Sequence, residues 1–196
     1  MPINFSALNS QFRWRPAFSG AAIQTKDYPE AASADFRYGE AVILSSSGGV
    51  HSVTQLATAP AAGAVSSSVA DGQLLLGYAL RDSTGVTGTP IPILLARNVQ
   101  VLMRLYNATS TSAELRDVSP GDHAELFRYK GTDVATNIFT VASDAANGTA
   151  GINMVKVVDY YSPNYYSTNN LLGGEQAVTD TYGLVWVQAR ETQIVA

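Results

Sequence analysis

Three observations predict an all-β fold. Apolar residues fall into short runs rich in Val, Ile, Leu and Tyr. Clusters of Gly, Ser, Asn and Pro separate these runs, giving turn signals at roughly 8–12-residue spacing. No stretch sustains the i, i+3, i+4, i+7 apolar spacing of an amphipathic helix. The expected architecture is two small β-barrel or β-sandwich-like domains preceded by an extended N-terminal arm. The arm takes residues 1–35, the first β-domain 36–109 and the second 110–196. The second domain includes a Tyr/Asn-rich loop at 160–182.

The arm is read from its start. Residues 1–24 carry Arg13 and Arg15 and no acid, so this segment is net +2. Phe5, Phe12, Trp14 and Phe18 follow neither a helical nor a strand spacing, and Pro2 and Pro16 break any long element. Large aromatics on a segment without its own core need cover, because contiguous exposed apolar surface is uncommon on monomers. The arm therefore packs on its own domain, clasps a neighbouring subunit or stays exposed and disordered. Aromatic and Arg side chains are the usual interface anchors. Phe5, Phe12, Arg13, Trp14 and Arg15 are accordingly the candidate contact residues toward a neighbouring subunit or another partner.

Within 36–109, Glu40-Ala41-Val42-Ile43-Leu44 reads as a strand closed by the small-residue turn Ser45-Ser46-Ser47-Gly48-Gly49. Val50 to Thr54 alternates, as a hairpin return does. Residues 57–70 read as a surface loop, because Pro60, Gly63 and Ser66-Ser67-Ser68 lower helix propensity. Leu74 to Leu80 is a strand, and residues 81–89 a polar loop. Ile91 to Leu95 follows; Pro92 lacks a ladder donor, so this run should begin a strand or lie at an edge. Val99 to Tyr106 is a strand, and residues 107–112 a linker.

Within 110–196, Ser119-Pro120-Gly121-Asp122 is a turn. Ala124 to Tyr129 and Asn137 to Ala142 are strands, and Asn147-Gly148 is a hairpin signal. Gly151 to Tyr160 is apolar on both faces, which predicts a central strand. Gly183 to Arg190 is the final strand.

Composition removes several function classes. The 196 residues are 46% hydrophobic but only 14% charged, against about 25% in an average soluble domain. With 12 Lys+Arg and 16 Asp+Glu the net charge is −4, which argues against dense nucleic-acid binding. There is no cysteine, hence no disulfide scaffold and no thiolate metal site. No apolar run is long enough for a membrane helix, and no signal-peptide pattern is visible.

Motifs for catalysis are equally sparse. The two histidines, His51 and His123, are too few for a three-histidine zinc site, and no Gly-x-Ser-x-Gly elbow accompanies either. Asp122-His123-x-Glu125 offers metal-ligand chemistry, but a strand would point Asp122 away from the other two; a solvated turn is the preferred reading. No phosphate-cradling loop occurs. The expectation is a protein with no catalytic residue, metal or cofactor. The Tyr/Asn-rich loop supplies broad contact area and adaptable hydrogen bonds, as paratopes do. Tyr161, Tyr165, Tyr166 and Asn169 are thus a possible secondary binding loop, pinned to its own domain or facing a protein or glycan.

The run Tyr38-Gly39-Glu40-Ala41-Val42-Ile43-Leu44, its Ser/Gly turn and Val50 are followed by Leu75-Leu76-Gly77-Tyr78-Ala79-Leu80, a loop with Gly85, and Ile91-Pro92-Ile93. This arrangement resembles the head decoration (cement) proteins of tailed bacteriophages over about residues 36–106. Residues 121–190 are similar to the additional β-domain of some members; the aromatic arm departs from the simplest ones. The resemblance implies a virion structural protein on the capsid exterior, assembled in the host bacterial cytoplasm. It would bind the major capsid protein as a homotrimer and clamp neighbouring capsid subunits, with no nucleic-acid or membrane partner. The alternative is a virion receptor- or glycan-binding module using the Tyr/Asn-rich loop.

Overall fold

The computed structural model describes residues 12–47, 50–57, 59–60, 65–66, 75–106, 118–130, 138–143, 155–160, 171–172, 176–177 and 184–190. The chain is all-β, with no helix among the described residues. The strands are β1 (Trp14–Pro16), β2 (Thr25–Pro29), β3 (Ala41–Ser47), β4 (Val50–Gln55), β5 (Val65–Ser66), β6 (Leu75–Ala79), β7 (Pro90–Leu95), β8 (Val99–Tyr106), β9 (His123–Ala124), β10 (Leu126–Lys130), β11 (Ile138–Ser143), β12 (Val155–Tyr160), β13 (Leu171–Leu172), β14 (Gln176–Ala177) and β15 (Leu184–Ala189).

A five-stranded antiparallel sheet runs β2-β7-β6-β3-β4. It curls until its ends meet: Glu30 and Val53 form a bridge, and the Ala31 N–H donates to the Val53 carbonyl at 2.9 Å. The result is barrel-like. The larger sheet runs β5-β10-β11-β8-β15-β12-β9, with β1 also pairing β8. Its ladders are antiparallel except the short β11–β8 pair, which is parallel. β13 and β14 form a separate ribbon.

Strand alternation divides the apolar residues between two cores. Tyr28, Phe36, Val42, Val53, Leu76, Ala79, Ile91 and Ile93 form one, inside the barrel-like sheet. Ala41, Ile43, Leu75, Tyr78 and Leu94 belong to the other, which lies between the sheets. There they meet Val99, Val101, Met103 and Leu105 of β8, Val185 and Val187 of β15, and Val155 and Val157 of β12. The small sheet is thus apolar on both faces, and every residue of β6 is buried. Leu75 and Tyr78 are three positions apart and share a face only because Leu76 is bulged, unpaired between Leu75 opposite Ile43 and Gly77 opposite Val42.

Gly77 sits where two strands press together. A Cβ there would lie 2.1 Å from the Leu94 carbonyl oxygen and 2.8 Å from Ile93 Cγ2. The obstacle is mainly backbone, so no rotamer relieves it.

One guanidinium joins the layers. Arg128 takes an inward position of β10, two residues after the core residue Leu126, and is fully buried. Nη1 donates to the Ala57 carbonyl at 2.7 Å, and Nη2 donates to the Asp35 carbonyl at 2.5 Å. Nη2 also pairs with the buried Glu40 carboxylate at 3.1 Å. Burial pushes the Glu40 carboxyl up to about 7, against the downward pull of the Arg128 charge.

Several sequence expectations change. The segment expected as an arm over 1–35 is built into both sheets where it is described, through β1 and β2. The division expected between 109 and 110 is not where the sheets divide: β8, from the first half, pairs with β15 and β11, from the second. Alternation reveals a strand's faces but not its neighbours. β7 is not an edge strand, because β2 covers it. Pro92 instead marks where the β6 ladder stops: its carbonyl accepts from the Leu80 N–H at 2.9 Å, and it has no N–H to return. β12 has a neighbour on each side, as a strand inside a sheet does, but one of them is only the two-residue β9, and a bulge interrupts β12 between Val157 and Asp159.

Gly77→Ala is expected to destabilise the fold by at least about 3 kcal/mol, read as lost stability in denaturant unfolding. Glu40 generates a pH prediction. Its folded-state affinity for a proton exceeds the unfolded one, so its contribution to stability is full below about pH 4.5 and is lost as pH rises toward about 7. Glu40→Gln removes that dependence. The stability of the wild type relative to this variant should fall by roughly 3 kcal/mol across the window; an unchanged difference contradicts the assignment.

Candidate functional site

The candidate contact residues converge on the seat of β1. Trp14 lies opposite Val101, Arg15 opposite Gln100 and Pro16 opposite Val99. The ladder extends at both ends: Leu102 N–H donates to the Arg13 carbonyl at 3.0 Å, and Ala17 N–H to the Asn98 carbonyl at 2.8 Å. Before the strand, Phe12 sits against the inter-sheet core. Its ring meets Tyr38 edge-on at 5.6 Å and Tyr78 at 5.8 Å. Gly39 makes room for it: φ there is +83°, and a Cβ would lie 3.0 Å from Phe12. An L side chain disfavours that φ and would also collide with the ring.

Trp14 shares the inward face with Val101, but β1 pairs with β8 alone, so the indole stands at the rim of the sheet. It is 43% exposed, and Phe18, just beyond the strand, is 59% exposed. Arg13 is exposed with its backbone in the ladder. Arg15 points to the outer face. Its Nε donates to Gln100 Oε1 at 2.7 Å, and its guanidinium lies 4.3 Å from the Trp186 ring centroid, within cation–π range. The 3.9 Å ion pair with Asp159 is half-exposed and adds little. Gln100 also donates to the Ala17 carbonyl at 3.1 Å.

These contacts belong to a polar row crossing the outer face. Arg15 opposes Gln100, Gln100 opposes Gln188, Gln188 opposes Lys156, and Lys156 opposes His123. Each flanking inward neighbour, Val101, Val187, Val155 and Ala124, lies in the core. The row is covered at Gln100, which is buried, and opens to water at Lys156, with Trp186 on the same face.

A second ordered feature is the loop at 81–89. Glu30 is fully buried, and its carboxylate accepts from the Gly85 N–H at 2.7 Å, the Thr84 hydroxyl at 2.6 Å and the Thr84 N–H at 2.9 Å. Asp82 accepts from the Tyr38 N–H at 2.8 Å. The loop is held by a carboxylate and a backbone N–H remote in sequence, and it exposes Val86.

Of the residues considered for metal chemistry, Asp122 is engaged by its own turn. Asp122 closes its own turn by accepting from the Ser119 N–H at 2.7 Å, and its carbonyl accepts from Val157 N–H at 2.8 Å. His123 lies in the polar row. Among the described residues, no cluster of three such side chains is placed to hold a metal. His51 Nδ1 lies 2.8 Å from the Ser46 hydroxyl on the exposed β3–β4 hairpin. Tyr160, at the start of the Tyr/Asn-rich segment, donates its hydroxyl to the Val118 carbonyl at 2.7 Å, and burial raises its phenol pKa. Phe5, Tyr161, Tyr165, Tyr166 and Asn169 lie outside the described residues.

Sequence reasoning passed over Gln100, Trp186, Glu30 and Arg128. Arg128 alone carried a local signal, as a charge between Phe127 and Tyr129 within an apolar strand. No family model, curated protein or solved structure matches the chain.

Gly39→Ala should unseat Phe12 and loosen β1 while leaving the sheets folded. The expected result is faster amide hydrogen exchange at Leu102, whose N–H is held by Arg13, with protection retained at Val157. Unchanged exchange at Leu102 contradicts the seating role of Gly39.

Proposed function

We propose that the chain is a non-catalytic structural protein of a virion, which binds the outside of an assembled capsid and clamps neighbouring capsid subunits as a homotrimer. The observation that carries this reading is the rim at β1. There a tryptophan, 43% exposed, is fixed by a backbone ladder, and Phe18 beyond it is 59% exposed. An exposed aromatic on backbone already held by a ladder loses little further main-chain freedom on binding, which suits an interface anchor. Arg15, oriented by Gln100 and Trp186, is similarly pre-organised.

The strand-and-turn resemblance to head decoration proteins supports the same reading. A protein that binds only the assembled shell stabilises it by mass action, and several modest contacts per oligomer add through effective concentration. Low surface charge suits wide contact, since burying unpaired charge is costly.

The test is co-sedimentation with phage heads assembled without this protein. The wild type should sediment with the heads, and Trp14→Ala/Phe18→Ala should bind at least about tenfold more weakly with unchanged thermal stability. Failure of the wild type to bind, or full binding by the double variant, overturns the proposal.

A further inference from the structure

We propose that β1 is an exchangeable strand: in the assembled protein, the segment Phe12–Ala17 of one copy seats on β8 of a second copy. This goes beyond shell binding and does not require it.

The first is where the seat comes from. Every described contact that holds the segment is remote in sequence. Phe12 is held by Tyr38, Gly39 and Tyr78. The Arg13 carbonyl and Ala17 N–H are held by Leu102 and Asn98. Arg15 is held by Gln100 and Trp186. The site therefore accepts the same segment equally well from its own chain or from another.

The second is the connection. Beyond Ala17 the chain is next fixed at Ile23, which packs on the inter-sheet core, and at Gln24, whose carbonyl accepts from Leu95 N–H at 2.9 Å. Between them lies Phe18–Ala22. These residues are exposed except for half-buried Ala21. A reverse turn closes the hinge through one backbone bond, Ala21 N–H to the Phe18 carbonyl at 3.0 Å. Gly20 supplies it with φ +81°, and nothing lies within 4 Å of a Cβ built there. Opened to its full extent, the hinge spans up to about 17 Å. Opening it sacrifices that one hydrogen bond.

The third is the position of β1 in its sheet. It pairs with β8 alone, so its transfer disrupts no other ladder among the described strands. In a closed ring each copy gives one strand and receives one, leaving every seat filled, which is the low-cost route to an oligomer.

The chain has no cysteine, so a disulfide reports the connectivity directly. Trp14 and Val101 face each other between hydrogen-bonded pairs, at a spacing a disulfide can bridge. Chains carrying Trp14→Cys and Val101→Cys, distinguished by a mass tag, are co-expressed and oxidised. The expected product is a covalent heterodimer resolved on a non-reducing gel. A second preparation carries both cysteines in one chain, with and without Gly20→Pro. Proline cannot adopt the positive φ of the turn, so the crosslink, formed between chains in the parent, should stay between chains in this variant, and any fraction formed within one chain should be lost. Absence of the heterodimer, or a crosslink that forms only within one chain in either version, overturns exchange. Neither result depends on binding to heads, so the proposal of shell binding is tested separately.

Discussion

The relation between the two layers depends on a guanidinium that has no access to water. Arg128 leaves the larger sheet at an inward strand position and meets Asp35, Glu40 and Ala57 of the smaller one. A buried cation is costly unless it is paired and hydrogen-bonded, and removing one member of such a pair leaves an uncompensated charge. The contacts therefore fix more than energy. They specify how β10 must lie against the loop before β3 and the end of β4, while apolar packing alone tolerates sliding. The Nε of Arg128 and Oε1 of Glu40 remain without hydrogen-bond partners among the described residues, and burial outweighs attraction in setting the Glu40 proton affinity. The pair supplies geometry at a cost in stability.

The same economy of charge runs through the barrel-like sheet. Glu30, also buried, is spent on the backbone of a loop more than fifty positions away. With only 14% charged residues, the chain places three of them, Glu30, Glu40 and Arg128, at full burial. Glu30 and Arg128 orient backbone that apolar contacts cannot orient, because carbonyls and N–H groups need directional partners, and Glu40 in turn pairs with Arg128. The low charge noted in the composition is therefore not merely an absence. Part of what charge there is has been moved inside.

The strand positions were mostly legible in the sequence. β3, β4, β6, β8, β10, β11 and β15 coincide with short apolar runs closed by Gly, Ser or Pro, because period-two burial and turn chemistry are local properties. β1 and β2 were not legible: Trp14-Arg15-Pro16 and Thr25-Lys26-Asp27-Tyr28-Pro29 are polar or proline-bound, and they are strands because β8 and β7 offer them edges. Of the candidate contact residues, Phe12, Arg13, Trp14 and Arg15 do come together at one seat, yet their roles diverge. Phe12 is a core plug, Arg15 a ladder member, and Trp14 the exposed ring. Residue type identified the group, and only the register separated its members.

By itself the sequence determined the fold class, the positions of most strands, the scarcity of catalytic motifs, and an N-terminal segment whose aromatics needed cover. Those follow from local periodicity, backbone restriction at Gly and Pro, and composition. The tertiary structure alone decided that β8 joins the two halves of the chain, that the small sheet is buried on both faces, and that Gly77 admits no side chain. It also decided that Arg128, Glu40 and Glu30 are interior. Each of these is a contact between positions far apart in the chain, and strand alternation carries no information about partners. It tells which face a residue takes, while the neighbour on that face is chosen by the packing of the whole.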